Sequence, residues 1–404
     1  VSLVKILVVF LIVIFLIAKR WNLGLIMLAG AFLLALLFAV WPWQWIQIAF
    51  YSSIDYTTVT LILSLVLIQF LEGTLRRTAL LGQMVTSLKS LIPDHRLVMA
   101  ILPAFLGFLP SAGGALFSAP LVEEASKGFD LSPAKKTFIN YWFRHIWECI
   151  FPLYPGLILA SSILGVTLSA LIGHQWHYTV AAIIVGSVFA FPGVKNRVTP
   201  ASQDNKWQSL GKLLFAVLPV LLVLILVLIL GVELVLSLLL ALFLLWAWAV
   251  FALKWKLADL WELVKKSFSF NTVFLVLGVI IFKDTLIKSG AVGELSSFFY
   301  ASRVSPLVLV SLIPFFVGLL TGVTQAIVGV TFPLLLGIFG SPVDLSLVAL
   351  AYVSGFVGVL ASPVHLCLVL TRQYFKAEWG KVYALLGPSS AIVLLTALLV
   401  YLIF

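Results

Sequence analysis

The stretch Ile101–Pro120, ILPAFLGFLPSAGGALFSAP, has the composition of a membrane span but cannot form an unbroken one. Pro110 and the pair Gly113-Gly114 fall in its middle, where a continuous helix would lose backbone hydrogen bonds. Backbone left open at membrane depth is tolerated only where protein or a water-filled cavity surrounds it. The apolar arm ahead of the break, Leu97–Leu109, rises only about 20 Å as a helix, short of a bilayer core of about 30 Å. A re-entrant hairpin over 97–127 satisfies both constraints. It enters and leaves on one side, with a polar turn at Ser111–Gly114.

A second stretch of this kind lies 211 residues further on, at Leu312–Thr331, LIPFFVGLLTGVTQAIVGVT. Without a gap, Pro103 meets Pro314, Gly107 meets Gly318 and Ala115 meets Ala326. At the same offset Thr74-Leu75 meets Thr285-Leu286, Gly82 meets Gly293, Tyr141 meets Tyr352 and Pro152 meets Pro363. Leucine matches carry little weight in so apolar a chain, whereas the glycines and prolines are rarer. They read as an internal duplication, with a second hairpin over 304–340.

The chain is 63% hydrophobic and 10% charged, with a mean hydropathy of +1.20. That defines an all-α, polytopic membrane protein and excludes a soluble domain. The net charge of +10 does not point to nucleic acid, because the basic residues sit in short loops between apolar runs, where they set topology. Val1–Ala18 leads to Lys19-Arg20 and a second apolar run without a small-residue cleavage site, the pattern of a first span and not of a cleaved leader. Cys149 and Cys367 both lie in apolar segments and are expected to fill space, not to form a disulfide or metal site.

Spans are expected at 3–18, 23–40 and 56–71, then an interfacial piece at 73–96 and the first hairpin. A span over 137–163, broken at Pro152-Leu-Tyr-Pro155, and one over 178–191 complete an N-terminal repeat, 1–191. A cytoplasmic linker, 192–212, leads to a C-terminal repeat, 213–404. There the same order follows: 213–231, 232–253, 270–282, an interfacial piece at 283–300, the hairpin, a span over 345–372 broken near Ser362-Pro363, and 383–404. With both termini outside the cytoplasmic membrane, twenty of the 25 basic residues fall in cytoplasmic loops. Each half then has five crossings, and an odd number inverts the second copy. Two inverted repeats, each with a re-entrant hairpin and a broken helix, form the architecture of secondary transporters.

With the hairpin turns PSAGGA and TGVTQA and the breaks FPLYPG and ASPVHL, the chain resembles, over nearly its whole length, the ion transporter superfamily. That group includes divalent anion/sodium symporters, gluconate permeases and the large membrane subunits of TRAP transporters. In detail it looks most like an uncharacterised integral-membrane family within that group. Ser111-Ala112-Gly113 and Thr321-Gly322-Val323-Thr324 stand where the dicarboxylate symporters carry a Ser-Asn-Thr signature. The resemblance implies an elevator motion of hairpins and broken spans against a homodimeric scaffold.

Hairpin tips and broken helices present open backbone groups at mid-membrane, N–H ends for an anion and carbonyls for Na⁺. The candidate residues are Ser111, Gly113, Gly114 and Tyr154 in one half, and Thr321, Thr324, Gln325, Ser362 and His365 in the other. A further constellation is Asn140, Arg144, His145 and Glu148. Arg144 and Glu148 are spaced i, i+4, so on a helix they would share a face and could pair. Ionisable residues inside a span are costly and commonly face a cavity or one another. Arg144 suits an anionic substrate group, and Glu148 with His145 suits a coupling proton; the alternatives are a buried structural ion pair or a pair solvated at the cytoplasmic end. The second copy carries Gly355 and Val359 at the equivalent positions.

No Walker A, GxSxG or HExxH motif points to ATP drive or hydrolysis. The expectation is a non-enzymatic secondary active transporter of a small anionic organic solute, coupled to Na⁺ or H⁺ and without another cofactor. Two alternatives are the membrane subunit of an importer that needs a solute-binding protein, and a passive channel.

Overall fold

The computed structural model describes residues 2–108, 114–194, 206–301 and 303–403. Among these residues the fold is all-helical, with no β-strand. In the first half run α1 (Ser2–Ala18), α2 (Leu23–Leu37), α3 (Pro42–Ile54), α4 (Tyr56–Arg77) and α5 (Leu80–Leu91). They are followed by α6 (His95–Gly107) and α7 (Ala115–Ala125), packed against each other, and by α8 (Pro133–His145), α9 (Pro155–Leu164) and α10 (Leu168–Ala190). The second half runs α11 (Lys206–Leu224, continued by a π turn, Ile225–Ile229), α12 (Leu234–Leu253), α13 (Leu257–Ser267), α14 (Phe270–Lys288) and α15 (Ala291–Ala301). It ends with the packed pair α16 (Pro306–Thr321) and α17 (Thr324–Phe339), then α18 (Leu345–Ala361), α19 (Leu366–Phe375) and α20 (Trp379–Ile403). The two halves therefore pass through the same order of long, short and paired helices.

Among the described residues, six segments are long and apolar enough to cross a membrane: α4, α11 with its π turn, α12, α14, α18 with α19, and α20. Large apolar side chains such as Phe15, Leu218, Phe243 and Leu399 face outward, which in water would be prohibitive and in lipid costs nothing. The core lies instead around α8 and α18, whose Phe138, Tyr141, Trp142 and Tyr352 are essentially inaccessible.

Several boundaries differ from the sequence expectation. α4 and α14 each run six residues further than expected, to Arg77 and Lys288. In α4, Glu72 pairs with Arg76 at 2.9 Å, so charged residues continue the helix instead of ending it. α10 starts at Leu168, ten residues early, because Thr167 accepts a hydrogen bond from the Ala170 N–H and caps it. Two helices, α3 and α13, lie where no element was expected. α3 opens with Trp41 and with Pro42 at its first position, and it exposes Trp41, Trp43 and Tyr51, the residue types of a membrane–water boundary. α13 is amphipathic and exposed, and Arg77 at the end of α4 reaches its Asp259 and Glu262 at 2.9 and 3.1 Å.

The halves interlock. α2 packs on α14 while α4 packs on α12, and α3 covers α14 while α13 covers α4. Positions 211 apart make matching contacts. Tyr141 donates its hydroxyl to the Val359 carbonyl (3.3 Å) and to Leu360 (3.1 Å), and Tyr352 donates to the Glu148 carbonyl (3.0 Å). A Cβ at Gly107 would lie 2.2 Å from the Arg144 carbonyl oxygen, and one at Gly318 would lie 2.2 Å from that of Gly355. In each half, glycine is what lets the first hairpin arm touch the backbone of the broken helix.

Candidate functional site

α8 ends at His145, and residues 146–154 pass through non-helical turns before Pro155 opens α9. Pro155 suits this start because the N–H it lacks would have no helical partner. α18 breaks in the same manner at Ser362–His365 before α19. The second hairpin turns at Gly322, whose φ of +63° is the left-handed conformation that favours glycine, and α17 starts at Thr324.

These three interruptions surround one cavity of about 480 Å³. Its lining includes Arg144, His145, Glu148 and Tyr154 from the first half, and Thr321, Thr324, Gln325, His365 and Cys367 from the second. Ile17, Arg20, Trp21 and Leu23, from the junction of α1 and α2, complete it.

Hydrogen bonds across the halves hold the lining in place. Thr324 Oγ1 donates to Glu148 Oε2 at 2.6 Å. His365 Nδ1 lies 2.7 Å from the Gly322 carbonyl, and His145 Nδ1 lies 2.6 Å from the Tyr141 carbonyl. The two rings face each other with their Nε2 atoms 3.2 Å apart. Tyr154 donates its hydroxyl to the Gly107 carbonyl at 2.5 Å, tying the first break to the first hairpin. Arg144 Nη1 donates to the Leu106 carbonyl at 3.1 Å. Arg144 and Glu148 are only 4% and 6% exposed.

Three helices start at this cavity: α9 at Pro155, α17 at Thr324 and α19 at Leu366. None has a side-chain cap, whereas Asp94, Ser132 and Asp344 cap α6, α8 and α18. Uncapped N-termini carry open N–H donors and partial positive charge, and beside Arg144 they make the cavity attractive to an anion.

The expected residues divide as follows. Tyr154, Thr321, Thr324, Gln325, His365, Arg144, His145 and Glu148 line the cavity together. Gly114 lines a neighbouring cavity of about 240 Å³ with Arg76, Phe117 and, again, Arg144. Ser111 and Gly113 lie outside the described residues. Ser362 does not line the cavity; it is fully buried and its Oγ accepts from the Val364 N–H at 3.3 Å, which shapes the second break. Asn140 does not line it either. Its Nδ2 donates to the Ala115 carbonyl (3.1 Å) and to Thr371 Oγ1 (3.0 Å), joining α8 to α7 and α19. The helical register expected to align Arg144 with Glu148 stops at His145, so Glu148 sits in the turn and meets Thr324.

Sequence reasoning missed Cys367 and Gly322. Cys149 is buried as expected, but Cys367 is only partly so and opens onto the cavity. Leu366 and Leu368 flank it in the sequence, and only its place two residues after His365 would have drawn attention to it. A second cavity of about 480 Å³, lined mainly by Phe105, Phe108, Phe143, Trp147 and Phe191, has Asp94 and Arg96 as its only charged lining residues. It lacks the convergent polar groups of a solute site.

Fold and site define a polytopic α-helical membrane protein with a polar cavity at two helix breaks. The chain belongs to the family described as "Protein of unknown function (DUF401)", which it matches over residues 1–404. No curated protein matches it.

Proposed function

We propose that the chain is a secondary active transporter for a small organic anion, and that the cavity at the breaks is its solute site. The observation that carries this reading is convergence: three uncapped helix starts and Arg144, drawn from both halves, meet in one cavity of an otherwise apolar protein. Broken helices meeting between two repeats form the common solute site of such transporters. The contacts matched at an offset of 211 support a reading of the halves as inverted repeats of five crossings each. Glu148 supplies the negative charge on which a coupling Na⁺ or H⁺ acts. With the charge bias placing Arg20 in the cytoplasm, the cavity faces inward.

The test is uptake by the purified chain, alone, in proteoliposomes. The reading expects saturable uptake of an organic anion that depends on a Na⁺ or H⁺ gradient. Arg144→Lys, which keeps the charge but loses the planar fork, should weaken apparent affinity more than maximal rate. Uptake that never saturates, or that requires an added solute-binding protein, would reject the reading.

A further inference from the structure

We propose that His145, His365 and Cys367 form a binding site for a divalent transition-metal ion of the Zn²⁺ type. One ligand atom from each lies within 4.8 Å of the others, and the two Nε2 atoms are 3.2 Å apart at the cavity wall.

The tautomers make the argument. Each Nδ1 faces a backbone carbonyl, that of Tyr141 or of Gly322. A carbonyl oxygen only accepts, so each Nδ1 carries the ring proton and each neutral ring turns the lone pair of its Nε2 outward. Those two lone pairs then point at each other across 3.2 Å, a repulsive contact unless a positive charge sits between them. A tetrahedral Zn²⁺ at about 2.0–2.1 Å from each nitrogen spaces the pair by about 3.4 Å. The observed spacing is close to that edge.

Two further features belong to metal sites. A ligating histidine commonly donates its other N–H to a carbonyl, which fixes ring and tautomer; both rings do so here. α8 ends at His145, and the carbonyl end of a helix favours a cation. Cys367 lies on the first turn of α19 and would bind as the thiolate, the form a metal ion imposes on its cysteine ligand. Two imidazoles with one thiolate favour Zn²⁺ or Co²⁺ over Mg²⁺ and Ca²⁺, which prefer oxygen. Three protein ligands leave a fourth position facing the cavity, open to water or to an anionic group. Only that last step, coordination of the transported anion, rests on the proposed function; the ion site itself does not.

The experiment is a Co²⁺ titration of the purified, chelator-stripped chain in detergent. The expected result is one Co²⁺ per chain, with the thiolate-to-cobalt charge-transfer band and the intense visible bands of a tetrahedral centre, all reversed by added Zn²⁺. Cys367→Ser should remove the charge-transfer band and Cys149→Ser should keep it, while His365→Gln should abolish the tetrahedral spectrum. In the unmutated chain, Zn²⁺ should protect the Cys367 thiol from maleimide, a readout that needs no variant to fold. No tetrahedral spectrum in the unmutated chain, a charge-transfer band that survives Cys367→Ser, or no protection by Zn²⁺ would each overturn the site. The measurement uses no transport, so a chain that binds Co²⁺ but moves no anion rejects the function and keeps the ion.

Discussion

The hydroxyl of Thr324 is the direct link from the second hairpin to the buried acid of the first half, and Thr324→Val removes it with little change of shape. Glu148 is 6% exposed and accepts this bond at 2.6 Å, so in the variant its carboxylate stays buried with that donor gone. A hydrogen bond to a charged group contributes about 1.5–3 kcal/mol. For a chain of 404 residues the corresponding drop in melting temperature is roughly 2–4 °C. Glu148→Gln keeps an acceptor and loses the charge, and in that background the same threonine change should cost only about 0.5–1.5 kcal/mol, the range for neutral partners. The two substitutions are therefore expected to be non-additive by about 1 kcal/mol, the difference between the middles of the two ranges. The assay is a four-variant cycle of thermal unfolding in one detergent, read by intrinsic tryptophan fluorescence. An equal cost of Thr324→Val in both backgrounds would show that the hydroxyl meets no charge at Glu148, and the charge-assisted link across the halves would fall.

Gly107→Ala and Gly318→Ala each place a Cβ 2.2 Å from a backbone oxygen that cannot move alone, so both should lower yield and melting temperature; Gly293→Ala, with nothing within 4 Å, should be neutral or mildly stabilising. Tyr352→Phe leaves the Glu148 carbonyl without its buried donor and should cost about 1–3 kcal/mol, with Tyr141→Phe comparable, as measured by the same unfolding assay. In a cysteine-free background, Gln208→Cys should react with an impermeant maleimide only after the membrane is opened, and labelling in intact cells would contradict a cytoplasmic linker.

Both breaks and the turn between α16 and α17 fall within stretches the sequence marks with proline or glycine, and Pro152 and Pro363 stand in the breaks while Gly107 and Gly318 mark close contacts. The offset of 211 picked out tyrosines and glycines that make matching contacts. α3 was not legible by hydropathy, since its tryptophans alternate with glutamines, although Trp41-Pro42 is a start signal. The Arg144–Glu148 spacing assumes a helix through both residues, but α8 ends at His145, so the two share no helix face. His145, His365 and Cys367 are separated by up to 222 positions, and only the meeting of the two breaks puts them side by side.

The reciprocal tyrosine bonds bear on how such a molecule moves. Each broken helix is held by a side chain rooted in the other, deep in the protein and away from lipid. Neither break can hinge on its own without breaking a bond that belongs to its counterpart. The two breaks are therefore tied into one unit by hydrogen bonds that run both ways.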